Sequence, residues 1–362
     1  MSDAIETVVV GYGLAGRVFH APFVSAVPGL HLNGIVQRKG DEAAKAYPET
    51  RILRSIDEAL ADKAVQLIVI GTPNETHFPL AKQAIEAGKH VVIDKPFAAT
   101  SAEARTLADL AAKQGVVLAP FHNRRWDGDF LTVRKLLDQD AIGRLVTFET
   151  HFDRFRPMPR ENTWKEAENE ANGLLMDLGP HLVDQALALF GAPDSITASV
   201  RRDRDQTGIE DAFDITLHYQ KKDGTHLLAH CRSSMVACDA SPRFLLHGTR
   251  GSFKKFGLDP QEPALLGGAK VPPMGMGDWL PEAKEAWGTL TVAPNPADPG
   301  TLTKTVIETE RGDYRGYYAS VRDAINGVAP LAVPTEEGYR VIKLLEMARE
   351  SSAAGRTLPV KF

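Results

Sequence analysis

Five short apolar runs recur through residue 122 of this 362-residue chain: TVVV (7–10), LNGIV (32–36), VQLIVIG (65–71), HVVID (90–94) and VVLAPF (116–121). Each is short and rich in β-branched residues, as a buried strand is. Amphipathic stretches separate them, among them LAKQAIEAG (80–88), which closes on Gly88 as a helix C-cap does. Strands apolar on both sides and alternating with helices are buried only as a parallel sheet covered on both faces. Residues 1–122 are therefore expected to form a doubly wound α/β domain.

Beyond residue 122 the pattern changes. LVTFETHFDRF (145–155) and AFDITLHYQ (212–220) alternate apolar with polar, KKDGT (221–225) has the composition of a hairpin turn, and HLLAHCRSS (226–234) reads as the returning partner. Alternation of period two buries one face of a sheet, so residues 123–362 are expected to be α+β around a mainly antiparallel sheet. The stretch 257–300, dense in glycine and proline, is read as a long ordered loop.

Bulk properties narrow the function classes. The formal net charge is -5, from 42 basic and 47 acidic residues with no long run of either sign, which argues against nucleic acid or an anionic membrane as partner. No apolar run approaches the roughly 20 residues that span a bilayer. MSDAIETVVV enters a strand with no room for a charged segment followed by an apolar one. Cys231 and Cys238 are the only cysteines and suggest neither a disulfide framework nor a metal site. A reduced, cytoplasmic protein is expected.

GYGLAG (11–16) follows the first strand directly and opens a helix. The string alone is a weak signal, but between strand and helix each glycine has a task. Gly11 permits the tight turn, Gly13 lets the backbone approach a pyrophosphate, and Gly16 lets the helix pack close to the strand. With Tyr12, Leu14 and Ala15 they make a dinucleotide-binding turn of the Rossmann type. About 20 residues on, where an NAD enzyme places Asp or Glu on the ribose, stands Gln37, followed by Arg38 and Lys39. A cationic fork suits a 2′-phosphate, which favours NADP, with NAD still possible. The other reading of these two cations is a solvated loop.

VVIDKPFAAT (91–100) places Lys95 at the end of a strand, where ligands of an open parallel sheet sit. An ammonium there can hydrogen-bond a substrate hydroxyl and stabilise a developing alkoxide. NGLLMDLGPHLVDQALALFG (172–191) has a helical pattern carrying Asp177 and His181 four residues apart, on one face if the helix runs through Pro180. A neutral histidine beside a carboxylate is a competent base near neutral pH. A histidine on a leucine-rich helix is more often a core residue; beside a dinucleotide turn and a strand-end lysine, catalysis becomes the stronger expectation.

GYGLAGRVFHAPF, TPNETHFPLAKQAIEAGKHVVIDKP, FHNRRWD and GLLMDLGPHLVD, in this order and spacing, resemble the glucose-fructose oxidoreductase, inositol dehydrogenase and MocA family. The closing segment YYASVRDAINGVAPLAVPTEEGYRVIKLLEMARESSAAGRTLPV resembles that family too, so the likeness covers nearly the whole chain. The resemblance implies that Lys95 is the lysine of the family's Glu-Lys-Pro motif and that Asp177 and His181 are its helix pair. Asp94 stands where the family usually has Glu, as a cofactor contact one methylene shorter. Thr72, Pro73, Asn74 and His77 match the loop that touches the cofactor near the nicotinamide, and Asn123 with Arg124 matches the segment leading into the second domain. FHNRRWDGDFLTVRKLL, HFDRFRP and RGSFKKFGLDPQE are most similar to NADP-dependent scyllo-inositol dehydrogenases.

The expected reaction is reversible hydride transfer between a secondary alcohol of a cyclic polyol or sugar and a nicotinamide. A different sugar, keto-sugar or imine substrate stays open, as does a cofactor-sensing regulator without catalysis. HFDRFRP adds His151, Arg154 and Arg156, which either line the pocket or lie on an exposed or subunit-facing sheet surface. A homo-oligomer is expected, since an antiparallel sheet with a free face commonly packs on its symmetry mate, and the resemblance implies a homodimer or homotetramer.

Overall fold

In the computed structural model, which describes residues 4–161, 163, 166–276, 279–295, 297–298 and 300–362, the apolar runs become strands. They are β1 (Ile5–Val10), β2 (Leu30–Val36), β3 (Arg51–Leu53), β4 (Leu67–Ile70), β5 (His90–Ile93) and β6 (Leu118–Pro120). All pair in parallel in the order β3-β2-β1-β4-β5-β6. Only β3 escaped the sequence pattern, because RIL is three residues long and begins on an exposed arginine. Between the strands run α1 (Ala21–Ala26), α2 (Glu42–Ala46), α3 (Ile56–Ala61), α4 (His77–Glu86) and α5 (Ser101–Gln114). Val8, Val9, the whole of β4, and Val91 to Ile93 are fully buried, as central strands between helical layers must be. Local signals agree with this packing. Ser55 and Glu58 form a capping box on α3, and α5 runs from a Thr100 cap to Gly115 in the left-handed conformation.

The chain continues through α6 (Gly128–Asp138), β7 (Leu145–His151), α7 (Leu174–Phe190), β8 (Ser195–Arg201), β9 (Ala212–Gln220), β10 (His226–Ser234), β11 (Phe244–Gly248), β12 (Gly251–Lys255), α8 (Gln261–Leu266), β13 (Gly288–Val292), β14 (Thr303–Ile307), α9 (Arg315–Ile325), α10 (Thr335–Ala354) and β15 (Leu358–Pro359). The stretch read as one long loop thus contains α8 and β13. Glycine and proline concentrate at the ends of these elements and disguised them.

Two compact units result. The first joins Met1–Asn123 with Gln261–Trp279 and Asp313–Ile342; the second is Arg124–Pro260, Leu280–Gly312 and Lys343–Phe362. In the first unit α9 packs at the end of β6: Tyr317 Oη donates to the Pro120 carbonyl at 3.1 Å, and its ring meets Phe121 edge-on at 4.7 Å. That the closing segment contributes to the first unit is a long-range fact, invisible to local periodicity.

The second unit is built on a nine-stranded sheet, order β14-β13-β12-β11-β7-β10-β9-β8-β15. Its pairings are antiparallel except β7 with β10, which run parallel. The hairpin between β9 and β10 closes through Lys221 N to Thr225 O at 2.8 Å. The apolar face carries Phe148, Phe213, Leu217, Ala229, Cys231 and Phe244, each no more than 1% exposed, and α7 lies against it. Phe148 packs edge-on to Phe190 of α7 at 5.2 Å and tilted to Phe244 at 5.8 Å. Among the described residues no helix is long and apolar enough to cross a membrane.

A buried aromatic at the centre of this face predicts that Phe148→Ala costs about 3–5 kcal/mol, through lost burial and the cavity left behind. Urea unfolding followed by circular dichroism should show the midpoint fall with an unchanged slope.

Candidate active site

In the first unit, a parallel ladder that runs one residue past its strands positions the candidate residues. Gly11 N bonds to Val36 O at 3.0 Å, Gln37 N to Leu53 O at 3.0 Å, and Gly71 N to Val10 O, Asp94 N to Ile70 O and Phe121 N to Ile93 O, each at 2.9 Å. The residues just beyond five strands are thereby held in one row at the carboxyl edge, where open α/β sheets bind ligands. On this row stand the glycine turn after β1, Gln37 and Arg38 after β2, Thr72 to Asn74 after β4, Asp94 and Lys95 after β5, and His122 and Asn123 after β6.

The glycine turn has the space a dinucleotide needs. Gly11 adopts φ +99°, and a Cβ there would meet the Gly71 carbonyl at 2.7 Å. A Cβ on Gly16 would lie 1.9 Å from the Gly11 carbonyl, so helix and strand touch at this point. At Gly13 nothing lies within 4 Å of an added Cβ, leaving open room beside the backbone. Beyond it a helical run begins at 14, wound as a π-helix over Gly16–His20 before α1. The residues present fit a dinucleotide.

Next to the turn, Gln37 is engaged in the fold. Its side-chain carbonyl accepts from Ala43 N at 2.9 Å and its amide donates to Glu42, so it caps α2. Arg38 and Lys39 are exposed.

Beneath the row lies a buried polar group that sequence reasoning assembled only in part. His77, 1% exposed, places Nδ1 2.8 Å from the Pro96 carbonyl and Nε2 2.9 Å from the Thr72 carbonyl. The resemblance implies a cofactor contact for this residue; in the fold its two ring nitrogens face backbone carbonyls, so the ring ties the Thr72 loop to Pro96, which follows the cis Lys95–Pro96 bond. Thr76 Oγ1 tightens the same loop, 2.6 Å from both Thr72 Oγ1 and the Pro73 carbonyl. Asp94, with a side chain 15% exposed, accepts from Lys95 N at 2.8 Å and lies 3.7 Å from His20 Nε2. Burial alone would raise its carboxyl; the neighbouring His20, with the charges of Lys95 and His77, holds it below its ordinary value. His20 in turn meets Tyr318 Oη at 2.8 Å. His20 and Tyr318 were not singled out in the sequence; the histidine in RVFHAPF, one turn beyond Gly16, was the available signal.

The second unit carries the helix pair. α7 runs through Pro180 without a break, so Asp177 and His181 lie one turn apart on one face, Asp177 27% exposed at its side chain and His181 6%. Arg154, on the chain just past β7, donates to Asp177 at 3.0 Å, and its guanidinium stands 5.4 Å from the Phe152 ring centroid. Of the three residues in HFDRFRP, Arg154 therefore joins the pair, while His151 sits between Glu149 at 3.7 Å and Asp153 at 3.5 Å. Arg124, grouped with the cofactor residues in the sequence, has a buried guanidinium 3.2 Å from Asp127 and over Phe152 at 4.8 Å. Its carbonyl accepts from the Gln185 amide at 2.9 Å, tying the segment to α7.

Comparison with known proteins agrees across both units. The profile described as an oxidoreductase family NAD-binding Rossmann fold matches residues 5–122, and that of the family's C-terminal alpha/beta domain matches 134–362. The chain belongs to the Gfo/Idh/MocA oxidoreductase family and is an oxidoreductase with an NAD(P)-binding Rossmann domain. It is 40% identical over 359 residues to the uncharacterized oxidoreductase YdgJ of Escherichia coli strain K12, covering 99% of each chain. It is 36% identical over 356 residues to the scyllo-inositol 2-dehydrogenase (NADP(+)) IolW of Bacillus subtilis strain 168, covering 98% of this chain and 96% of the relative. The solved structure of the yvaA oxidoreductase from Bacillus subtilis superposes with a TM-score of 0.92 at 35% identity, covering 99% of both chains.

The buried histidine makes a pH prediction. Desolvation outweighs the Asp94 charge and the two carbonyls and lowers the His77 pKa from its ordinary 6.5. The unfolded chain then binds the proton more readily, so this contribution to stability is complete above about pH 6.5 and is lost as pH falls toward the folded value. His77→Gln should flatten the slope of melting temperature against pH between about pH 7 and 5, with His90, His218 and His230, lowered chiefly by burial as well, keeping part of it.

Proposed function

We propose that this oxidoreductase is NADP(H)-dependent and transfers hydride between a secondary alcohol of an inositol-like cyclic polyol or sugar and the nicotinamide. The observation that carries the reading is Lys95 at the carboxyl end of β5, on the same row as the glycine turn. Similarity to an enzyme named as an NADP-dependent scyllo-inositol dehydrogenase supports the substrate class, and exposed Arg38 and Lys39 support the 2′-phosphate. In this reading residues 1–122 hold the nucleotide and 123–362 hold the substrate and the contacts of a homodimer or homotetramer.

Gly11 to Gly16 would hold the pyrophosphate, and Thr72, Pro73, Asn74, Asp94 and Asn123 would border the nicotinamide. When bound, the nicotinamide supplies the hydride acceptor or donor. Lys95 hydrogen-bonds the reacting oxygen and stabilises negative charge as it develops there. In the oxidation direction His181 removes the hydroxyl proton, and Asp177 supports the imidazolium that forms. Because Arg154 shares the Asp177 carboxylate, it fixes where that carboxylate points.

Absorbance of the reduced nicotinamide, followed with NADP or NAD and with scyllo-inositol, myo-inositol and simple aldoses, tests the reading. Turnover of an inositol with NADP and little with NAD is expected; turnover of another sugar alone would replace the substrate class. Lys95→Met should lower kcat by at least about 100-fold while NADPH binding by fluorescence is kept, since it removes one charge-stabilising donor. Wild-type turnover in that variant would remove Lys95 from the chemistry.

A further inference from the structure

Arg54 was not among the residues that sequence reasoning selected, yet it stands where cofactor choice is made. It follows β3, whose end lies beside the end of β2 in the sheet, and its Nη1 donates to two backbone carbonyls of one turn, Gln37 at 2.9 Å and Gly40 at 2.8 Å. Those carbonyls bracket Arg38 and Lys39. One guanidinium nitrogen thus spans the short turn that presents both exposed cations.

The arginine is itself held. Its backbone N–H bonds to Glu58 Oε1 at 3.0 Å, the carboxylate that also accepts from Ser55 N at 3.1 Å in the capping box of α3. The turn is tight on its other side: Gly40 adopts φ +85°, and a Cβ there would fall 2.3 Å from the Glu42 carboxylate and 3.1 Å from the Gln37 amide. Of the neighbouring acids, Asp41 pairs with Lys45 at 3.0 Å, and Glu42 is held by the Gln37 amide while keeping its charge. Three cations, Arg38, Lys39 and Arg54, therefore adjoin a turn beside which Asp41 is paired with a lysine and Glu42 remains as a single negative charge. Such a turn gathers positive potential, and a clamp on its backbone removes the entropy cost of ordering it around an anion.

We propose that Arg54 is a positioning residue for the 2′-phosphate of the cofactor, clamping the turn through the Gln37 and Gly40 carbonyls so that Arg38 and Lys39 are presented together. The inference rests on the NADP reading above and names the device behind it. Gln37 and Arg54 divide the work. Gln37 ties the turn to α2, and Arg54 ties it to the end of β3.

The test is calorimetric titration of the full chain with adenosine 2′,5′-bisphosphate and with adenosine 5′-monophosphate, which needs no turnover. Wild type should favour the bisphosphate, and Arg38→Ala should lose that preference. Arg54→Met should weaken bisphosphate binding roughly tenfold, the scale of one charge-assisted contact, with monophosphate binding unchanged. Arg54→Lys should recover part of the loss, since an ammonium keeps the charge and can still donate to the carbonyls. Equal weakening of both ligands in Arg54→Met would mean that the residue serves the fold at large and would overturn the proposal, as would wild-type bisphosphate binding in that variant while Arg38→Ala loses it. No preference in wild type would instead sink the NADP reading, and this inference with it.

Discussion

The first unit depends on one repeated hydrogen bond. Five strands of its parallel sheet extend their ladder by a single residue, at 2.9 or 3.0 Å each time, and so fix the backbone from which the glycine turn, Gln37, Gly71, Asp94 and Phe121 emerge. A parallel sheet makes this possible because all its strands end on the same edge. Helices on both faces bury the strands and leave that edge as the place where polar groups can gather. Everything proposed for the nucleotide uses this row, whose positions are set by backbone geometry before any side chain acts.

Behind the row lies a second layer that keeps it rigid. His77 sits between the Thr72 and Pro96 carbonyls, His20 lies between Asp94 and Tyr318, and Tyr317 and Tyr318 bring α9 to the end of β6. These groups are almost fully enclosed, and a buried polar group is tolerable only when partnered. The result is that Lys95 emerges from a turn with little freedom, which suits the role proposed for it, a donor that meets a developing charge without reorganising. In the second unit Arg154 does similar work for Asp177. An ion pair that is roughly three-quarters buried on both sides holds the carboxylate in one orientation without withdrawing it from solvent altogether.

Much of this was legible in the chain. TVVV, VQLIVIG and HVVID announced buried strands because their residues are apolar on both faces, and AFDITLHYQ and HLLAHCRSS announced a one-sided sheet because they alternate. The boundaries of β9 and β10 coincide with those two stretches. What was not legible had a local pattern too short or too broken to register. β3 has three residues, α8 lies in a Gly/Pro-rich stretch, and β13 is entered through a 3-10 turn at Lys284–Ala286.

By itself the sequence determined the class of fold, the glycine turn, the strand-end lysine and the helix carrying Asp177 and His181, because each is written in residues that lie close together along the chain. Tertiary structure alone decided which partners those residues have. His20 meets Tyr318 across 298 residues, Arg154 meets Asp177 across 23, and Arg54 reaches back 17 to the Gln37 carbonyl. No periodicity encodes such pairs. They arise when separate elements are packed and each buried donor must find an acceptor from whatever the fold has brought near.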